Sequence, residues 1–128
     1  MIISKTPYRI SFFGGGSDYP TWYRKYGGEV ISSSIDKYLY ISLRELPNFF
    51  NHNYRISYSK TEEVKEIKNI KHLVVRNLLK HLKWKSGLEI HYDGDLPARS
   101  GMASSSAFIV GMANSLIDDL CFYFFKKK

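Results

Sequence analysis

Cysteine is almost absent from this 128-residue chain. The single Cys121 cannot form an internal disulfide and lies in an apolar stretch, which fits a reducing cytoplasm better than secretion. Only four Pro and nine Gly interrupt ten Tyr and eight Phe, so neither a disordered chain nor a low-complexity polymer suits the composition. Long apolar runs are missing too: those near 108–113 and 120–125 fall far short of the roughly 20 residues that span a bilayer, so no membrane partner is expected. The opening MIISKTPYRISFF puts Lys5, Pro7 and Arg9 where a signal peptide needs its apolar centre, so no export signal is read. What remains, with 44% hydrophobic residues, is expected to be one cored cytoplasmic domain over 1–128, with no room for two.

Acidic residues are in short supply as well. Nineteen Lys and Arg face twelve Asp and Glu, a formal charge of +7, which favours anionic partners such as nucleotides, sugar phosphates, nucleic acid or a membrane surface. Charge alone does not choose among them. The four His, at 52, 72, 81 and 91, show no metal-ligand spacing, and solvated or packing roles are the commoner reading for each.

What is present is periodic. Segments rich in aromatic and β-branched residues predict strands near 8–13, 29–35, 38–44, 54–59 and 88–92. In 38–44, Tyr38, Tyr40, Ser42 and Arg44 alternate with Leu39, Ile41 and Leu43, the period of a strand with one buried face. Between 70 and 83 the period lengthens. Leu73, Val74, Leu78, Leu79 and Leu82 fall on one side of a helix, with Lys71, Arg76, Lys80 and Lys83 largely elsewhere. That basic face could grip nucleic acid, but a solvated face is the commoner reading. A second helix, from about 103 to 120, is apolar around much of its circumference and is expected to be central and buried. The chain shows neither an internal repeat nor a linker.

Between the last strand and that second helix lies PARSGMASSSAF, residues 97–108. Gly101 permits backbone angles closed to other residues, and the small side chains from Ala103 to Ala107 let a ligand approach the main chain. Ser is also a favoured N-cap. A helix start offers amides without intrahelical partners and a partial positive charge, which suits phosphate. Three or four charge-assisted hydrogen bonds of about 1.5–3 kcal/mol each approach the roughly 8 kcal/mol of micromolar binding, before entropic costs. For Gly-x-x-Ser-Ser alone, an ordinary Ser-capped helix after a Gly turn is the commoner explanation. The stretch is neither a Walker A loop nor a dinucleotide Gly-x-Gly-x-x-Gly motif.

The full string Pro97-x-x-x-Gly101-Met102-Ala103-Ser104-Ser105-Ser106-Ala107 resembles the ATP-binding signature of the GHMP kinases. The resemblance implies that Pro97, Arg99, Ser100, Gly101, Met102, Ala103, Ser104, Ser105 and Ser106 wrap the nucleotide phosphates. It also implies that Ser104 or Ser105 helps hold magnesium or a phosphate. A second stretch, TPYRISFFGGGSDYPTWY at 6–23, is an independent anchor. Galactokinases of the family carry an Arg followed nine residues later by Asp-Tyr, with Gly-Glu-His-Thr before the Asp. Here Arg9 precedes Asp18-Tyr19 by that interval, with Gly15 and Gly16 in place of Glu and His, and Ser17 in place of Thr.

That departure points away from galactose. The Gly-Gly-Gly-Ser-Asp form, with the following KYGGEVISSSIDKYLYISL, resembles the heptose 7-phosphate kinase branch instead. By this resemblance Gly15, Gly16, Ser17, Asp18 and Tyr19 bind the substrate, Asp18 through a hydroxyl, and Arg9 lies near the transferring phosphoryl group. Taken alone, GGGSDY reads equally as a tight turn. Asp36 and Lys37 are read as strand-end surface residues.

The resemblance implies an α+β fold, that of an amino-terminal GHMP kinase domain, with a mixed sheet packed on helices in an α/β sandwich like that of a small-ribosomal-subunit protein domain. It implies ATP and magnesium as cofactors and a sugar phosphate as substrate, phosphorylated at its anomeric hydroxyl. The family's catalytic carboxylate follows the Ser-rich loop; here only Asp118 and Asp119 do, and at 1.5 Å per residue they stand roughly 21 Å from Ser104. The apolar cluster and Lys run at 121–128 are read as the mark of a truncated, frameshifted or split gene, with a second domain missing or a homo-oligomer in its place. Two other readings stay open: a non-catalytic nucleotide- or sugar-binding remnant, and an RNA-binding module, for which salt-dependent binding is the diagnostic.

Overall fold

The computed structural model of the chain describes residues 1–97 and 100–126, with side chains described as far as Asp119. Arg99, assigned above to the nucleotide loop, and the side chains of the 121–128 cluster lie outside the described residues. Five strands form one mixed sheet: β1 (Ile2–Phe13), β2 (Ile31–Glu45), β3 (Tyr54–Ser57), β4 (Thr61–Val64) and β5 (Leu88–Gly94), in the order β1-β2-β5-β3-β4. The β3–β5 pair is parallel and the others are antiparallel. Three helices complete the fold: α1 (Pro20–Tyr26), α2 (Leu73–His81) and α3 (Ser104–Lys126).

The expected alternation in the second strand holds, with Leu39, Ile41 and Leu43 buried and Arg44 exposed. The core joins these to Tyr8, Ile56, Leu88 and Ile90 of the sheet, Val75 and Leu79 of α2, and Phe108, Met112 and Leu116 of α3. Both longer helices therefore cover one face of the sheet. The segments expected as separate strands at 29–35 and 38–44 are one continuous β2. Its pairing with β1 shifts between Pro7 and Arg9, where β1 advances from Tyr38 to Ser34 on its partner. Asp36 and Lys37 sit exposed at that irregularity and not at a strand end.

Helix α2 is shorter than the periodicity predicts. A 3-10 turn at Ile67–Asn69 precedes it, and its N-cap is His72, whose Nδ1 accepts the Val75 N–H at 3.5 Å. Its buried stripe is Val75 and Leu79, while Leu73 is exposed. Helix α3 is a core element, as its apolar circumference predicts, and is covered over part of that circumference. Phe108, Met112, Ser115 and Leu116 are buried, whereas Ile109, Val110 and Ile117 are exposed. Gly111 sets its close approach to β1: a Cβ there would lie 2.6 Å from Thr6 Oγ1 and 3.0 Å from Ser4 Oγ. No described helix is long and apolar enough to cross a membrane.

A candidate site where the arm meets the serine-rich helix start

β2 pairs with β5 only from Leu39 to Glu45, whereas it pairs with β1 out to Ile31 and Phe13. Residues 9–13 and 31–34 thus form a two-stranded arm beyond the main sheet. Its tip holds the Gly-rich turn and α1, a helix with no buried residue. Gly14 adopts a φ of +84°, and a Cβ there would overlap the Glu29 carbonyl. Ser17 closes the tip. Its amide donates to the Gly14 carbonyl at 2.9 Å, its hydroxyl reaches the Gly14 and Glu29 carbonyls, both at 2.9 Å, and it accepts the Glu29 N–H at 3.2 Å. The Ser17 hydroxyl is therefore engaged by the backbone. Gly15 and Gly16 meet open space on their Cβ side, and Asp18 and Tyr19 are exposed beside them.

The Ser-rich stretch begins α3 through two left-handed residues, Gly101 at φ +75° and Ala103 at φ +56°. The first ladder bond runs from the Ala107 N–H to the Ala103 carbonyl at 3.0 Å. The residue at the helix boundary is thus Ala103 and not a capping Ser. The amides of Ser104, Ser105 and Ser106 lie ahead of that ladder and are available to an anion. The loop is pinned to the arm's base where the Arg9 N–H donates to the Met102 carbonyl at 3.4 Å.

Two hollows flank this helix start. A smaller one, about 160 Å³, is lined by Thr6, Pro7, Arg9, Ala103, Ser106, Ala107 and Val110, so Arg9 and the Ser-rich loop share a cavity. The larger, about 300 Å³, is lined by Ser104, Ser105, Tyr58, Ser59, His72, Val74, Tyr92 and Phe108. Asp18 and Tyr19 line neither of these, Pro97 lies outside both, and the Ser100 hydroxyl is buried without a partner among the described residues.

The aromatic wall of the larger hollow escaped the sequence reading. Phe108 sits 5.0 Å from His72 and 5.1 Å, edge-on, from Tyr92, and Tyr58 meets His72 edge-on at 5.2 Å. Behind them the Tyr58 hydroxyl donates to Glu62 Oε1 at 2.7 Å, and the Lys71 N–H donates to Glu62 Oε2 at 2.6 Å. Burial raises the Glu62 carboxyl, but these donors outweigh it and hold the group below its ordinary value. Burial also lowers the His72 imidazole, with nearby Glu62 opposing, so His72 presents a neutral ring to the hollow. These residues come from β4's neighbourhood, the start of α2, β5 and α3; no local spacing in the sequence links them.

Asp118 is exposed near the far end of α3. Burial raises the Asp119 carboxyl, and Glu45, at the end of β2, raises it further. Asp119 therefore lies toward the sheet end opposite the arm. Among the described residues no group of three or more His, Cys, Asp or Glu could hold a metal.

Residues 67–121 match the model of the GHMP kinases N terminal domain. The chain is 25% identical over 126 residues to D-glycero-alpha-D-manno-heptose 7-phosphate kinase of Campylobacter jejuni, across 91% of this chain and 37% of that protein. Its fold superposes with a TM-score of 0.77 on a D-glycero-D-manno-heptose 1-phosphate kinase from Bacteroides thetaiotaomicron, at 23% identity over 94% of this chain and 42% of the other. The mevalonate kinase of Methanococcus jannaschii gives a TM-score of 0.64 at 22% identity, over 89% and 38%. The chain thus spans about two fifths of the length of the proteins it resembles. The mixed five-stranded sheet and its helices have the fold of the N-terminal part of those proteins, and residues 67–121 are similar to the GHMP kinases N terminal domain.

Proposed function

We propose that this chain is the nucleotide- and sugar-binding part of an ATP-dependent sugar or sugar-phosphate kinase. A heptose 7-phosphate-like substrate, phosphorylated at its anomeric hydroxyl, fits the named relatives best. The observation that carries the reading is the bond from Arg9 to Met102. It brings the Arg9 end of the arm motif to the Ser-rich helix start, and in this reading the acceptor lies along the arm beside the phosphate donor. Proximity of this kind is the main protein contribution to phosphoryl transfer.

In this reading the amides of Ser104, Ser105 and Ser106 receive the phosphates, and Gly101 and Ala103 keep the loop close to them. The aromatic hollow of Tyr58, His72, Tyr92 and Phe108 takes the nucleoside end. Arg9 neutralises charge on the transferring group, and Asp18 holds a sugar hydroxyl. Hydroxyls without a carboxylate cluster fit a magnesium that keeps most of its ligands from phosphate and water. The ion would supply charge neutralisation at the phosphates, with Ser104 and Ser105 as its protein ligands.

The test is magnesium-ATP binding by the chain in calorimetry, repeated with Ser104→Ala and Phe108→Ala. Binding weakened roughly tenfold by Ser104→Ala, about the value of one charge-assisted hydrogen bond, supports the reading; no binding by the wild-type chain removes it. A second reading, a nucleotide-binding module without catalysis, is favoured by one feature. The carboxylates after the Ser-rich loop, Asp118 and Asp119, lie far along α3 from its start, and Asp119 is influenced by Glu45. Phosphoryl transfer to a sugar phosphate by the isolated chain, abolished by Asp18→Ala, would eliminate it.

A further inference from the structure

The larger hollow reaches from Ser104 and Ser105, at the start of α3, to His72, at the start of α2. The His72 ring is clamped there. Its Nδ1 accepts the Val75 N–H at 3.5 Å and caps α2, Tyr58 meets it edge-on at 5.2 Å, and Phe108 lies 5.0 Å away. Glu62 steadies the clamp, since its carboxylate takes the Tyr58 hydroxyl at 2.7 Å and, at 2.6 Å, the N–H of Lys71, the residue before His72. These contacts fix the tautomer. Burial lowers the imidazole pKa against the pull of Glu62, so the ring is neutral. A neutral ring whose Nδ1 lone pair is committed to an amide carries its one proton on Nε2.

Among the described residues Nε2 meets no hydrogen-bond acceptor, yet it is not one of the side-chain atoms buried without a partner, so its donor stays accessible. Little else at this end of the hollow can take its place. The Tyr58 hydroxyl is committed to Glu62, Phe108 is apolar, and no charged side chain is among the described lining residues. The Ser59 hydroxyl rotates and donates or accepts as required.

We infer that the His72 Nε2–H anchors the nucleobase, donating to an acceptor atom on the edge of a base that lies against Tyr92 and Phe108. The inference rests on the nucleotide reading above and gives His72 a role in it that neither the Ser-rich motif nor the arm motif includes. Aromatic faces hold a flat ring without fixing its rotation. A donor in a set position fixes that rotation, and with it the direction in which the ribose and phosphates leave toward Ser104 and Ser105. Because the α2 cap, Tyr58 and Phe108 hold the imidazole before any ligand arrives, little rotamer freedom is lost on binding. A base that turns no acceptor toward His72 leaves the donor unpaired and binds more weakly.

Calorimetry with magnesium-ATP and with magnesium tripolyphosphate, which has phosphates and no base, separates the two ends of the hollow. Two variants delete the donor while each spares one structural duty: His72→Asn keeps a side-chain acceptor for the α2 cap, and His72→Phe keeps an aromatic ring beside Phe108. Both are expected to bind magnesium-ATP roughly three- to tenfold more weakly, the value of one hydrogen bond, and to bind tripolyphosphate as wild type does. Long-range proton–nitrogen NMR of the wild-type His72 ring, which stays informative if a variant fails to fold, should show the Nε2–H form in the free chain. The Nε2 signal should shift with ATP and not with tripolyphosphate. A His72→Asn chain that binds ATP as wild type does, an equal loss of tripolyphosphate affinity, or a free ring protonated at Nδ1 instead overturns the assignment. ATP that shifts the Ser104, Ser105 and Ser106 amides and leaves the His72 ring unmoved overturns it while the kinase reading stands. Absence of magnesium-ATP binding to the wild-type chain strikes the kinase reading, and this assignment falls with it.

Discussion

The Arg9 N–H, on the strand that leads into the arm, donates to the Met102 carbonyl, in the loop that starts α3. Two segments from opposite ends of the chain meet at this bond, and the loop side of it is held in an unusual conformation. Gly101 and Ala103 both have left-handed φ, and only one of them is glycine.

Ala103 therefore makes a sharp prediction. An L-residue pays roughly 1–2 kcal/mol in this region, and a β-branched one more. Ala103→Val should lower the urea unfolding midpoint by an amount worth about 1–3 kcal/mol. Ala103→Gly should change stability by less than about 1 kcal/mol, because relief of the strain offsets the extra freedom of glycine in the unfolded chain. A Val variant as stable as wild type would show that the loop does not hold this conformation.

Gly111 offers a second test, in the middle of α3. A methyl group there would meet the Thr6 and Ser4 hydroxyls at 2.6 and 3.0 Å, so the helix must lift off β1. Helix propensity favours Ala over Gly by about 1 kcal/mol, but overpacking of this kind costs roughly 1–3 kcal/mol. Gly111→Ala is expected to destabilise, and adding Thr6→Ala to it should recover part of the loss. Additive effects of the two changes, measured by thermal denaturation as a double-mutant cycle, would contradict the contact.

The arm's glycines separate by role. Gly14→Ala places a Cβ into the Glu29 carbonyl from a φ of +84°, whereas Gly15→Ala meets nothing and needs no unusual angle. Since α1 buries no residue, damage at the tip should stay local. Gly14→Ala is expected to raise protease cleavage within 14–30 while shifting the global unfolding midpoint little. Gly15→Ala should match wild type in both. Equal cleavage of all three proteins would remove the structural distinction.

Much of this was legible from residue patterns, for reasons that differ by element. The alternation of Leu39, Ile41 and Leu43 showed a half-buried strand because each alternate position faces the same core. The two motifs were legible as strings, and their meeting was not, since it depends on β1 and α3 packing side by side. Helix α1 was missed because an exposed helix of seven residues carries no apolar stripe to detect. The apolar circumference of α3 marks it as a core helix but does not say which side is covered; Ile109, Val110 and Ile117 are left in the open. Glu89 was hidden inside a strand reading, because nothing local reveals that a carboxylate will be enclosed by neighbours from two other strands.

Glu89 is 2% exposed although Leu88 and Ile90, beside it, point to the opposite, core face. Its register partners are Arg44 on β2 and Arg55 on β3. Arg44 bonds to it directly, Arg55 lies at 3.5 Å and His91 Nε2 at 2.9 Å. Burial raises the Glu89 carboxyl, but His91 and Arg44 outweigh it and hold the group below its ordinary value of 4.5. The unfolded chain then takes up a proton near pH 4.5 that the folded chain still refuses. The stability contributed by Glu89 is complete above that pH and is lost as pH falls from 4.5 through the folded value. Glu89→Gln should cost about 1–3 kcal/mol at pH 7, less than a fully buried pair because Arg44 is half exposed. The gap between variant and wild type should stay constant from pH 7 to about 5 and narrow below 4.5. Urea midpoints measured across pH 3–7 check this, and parallel curves for the two proteins throughout that range would mean that Glu89 is not held ionised by its neighbours.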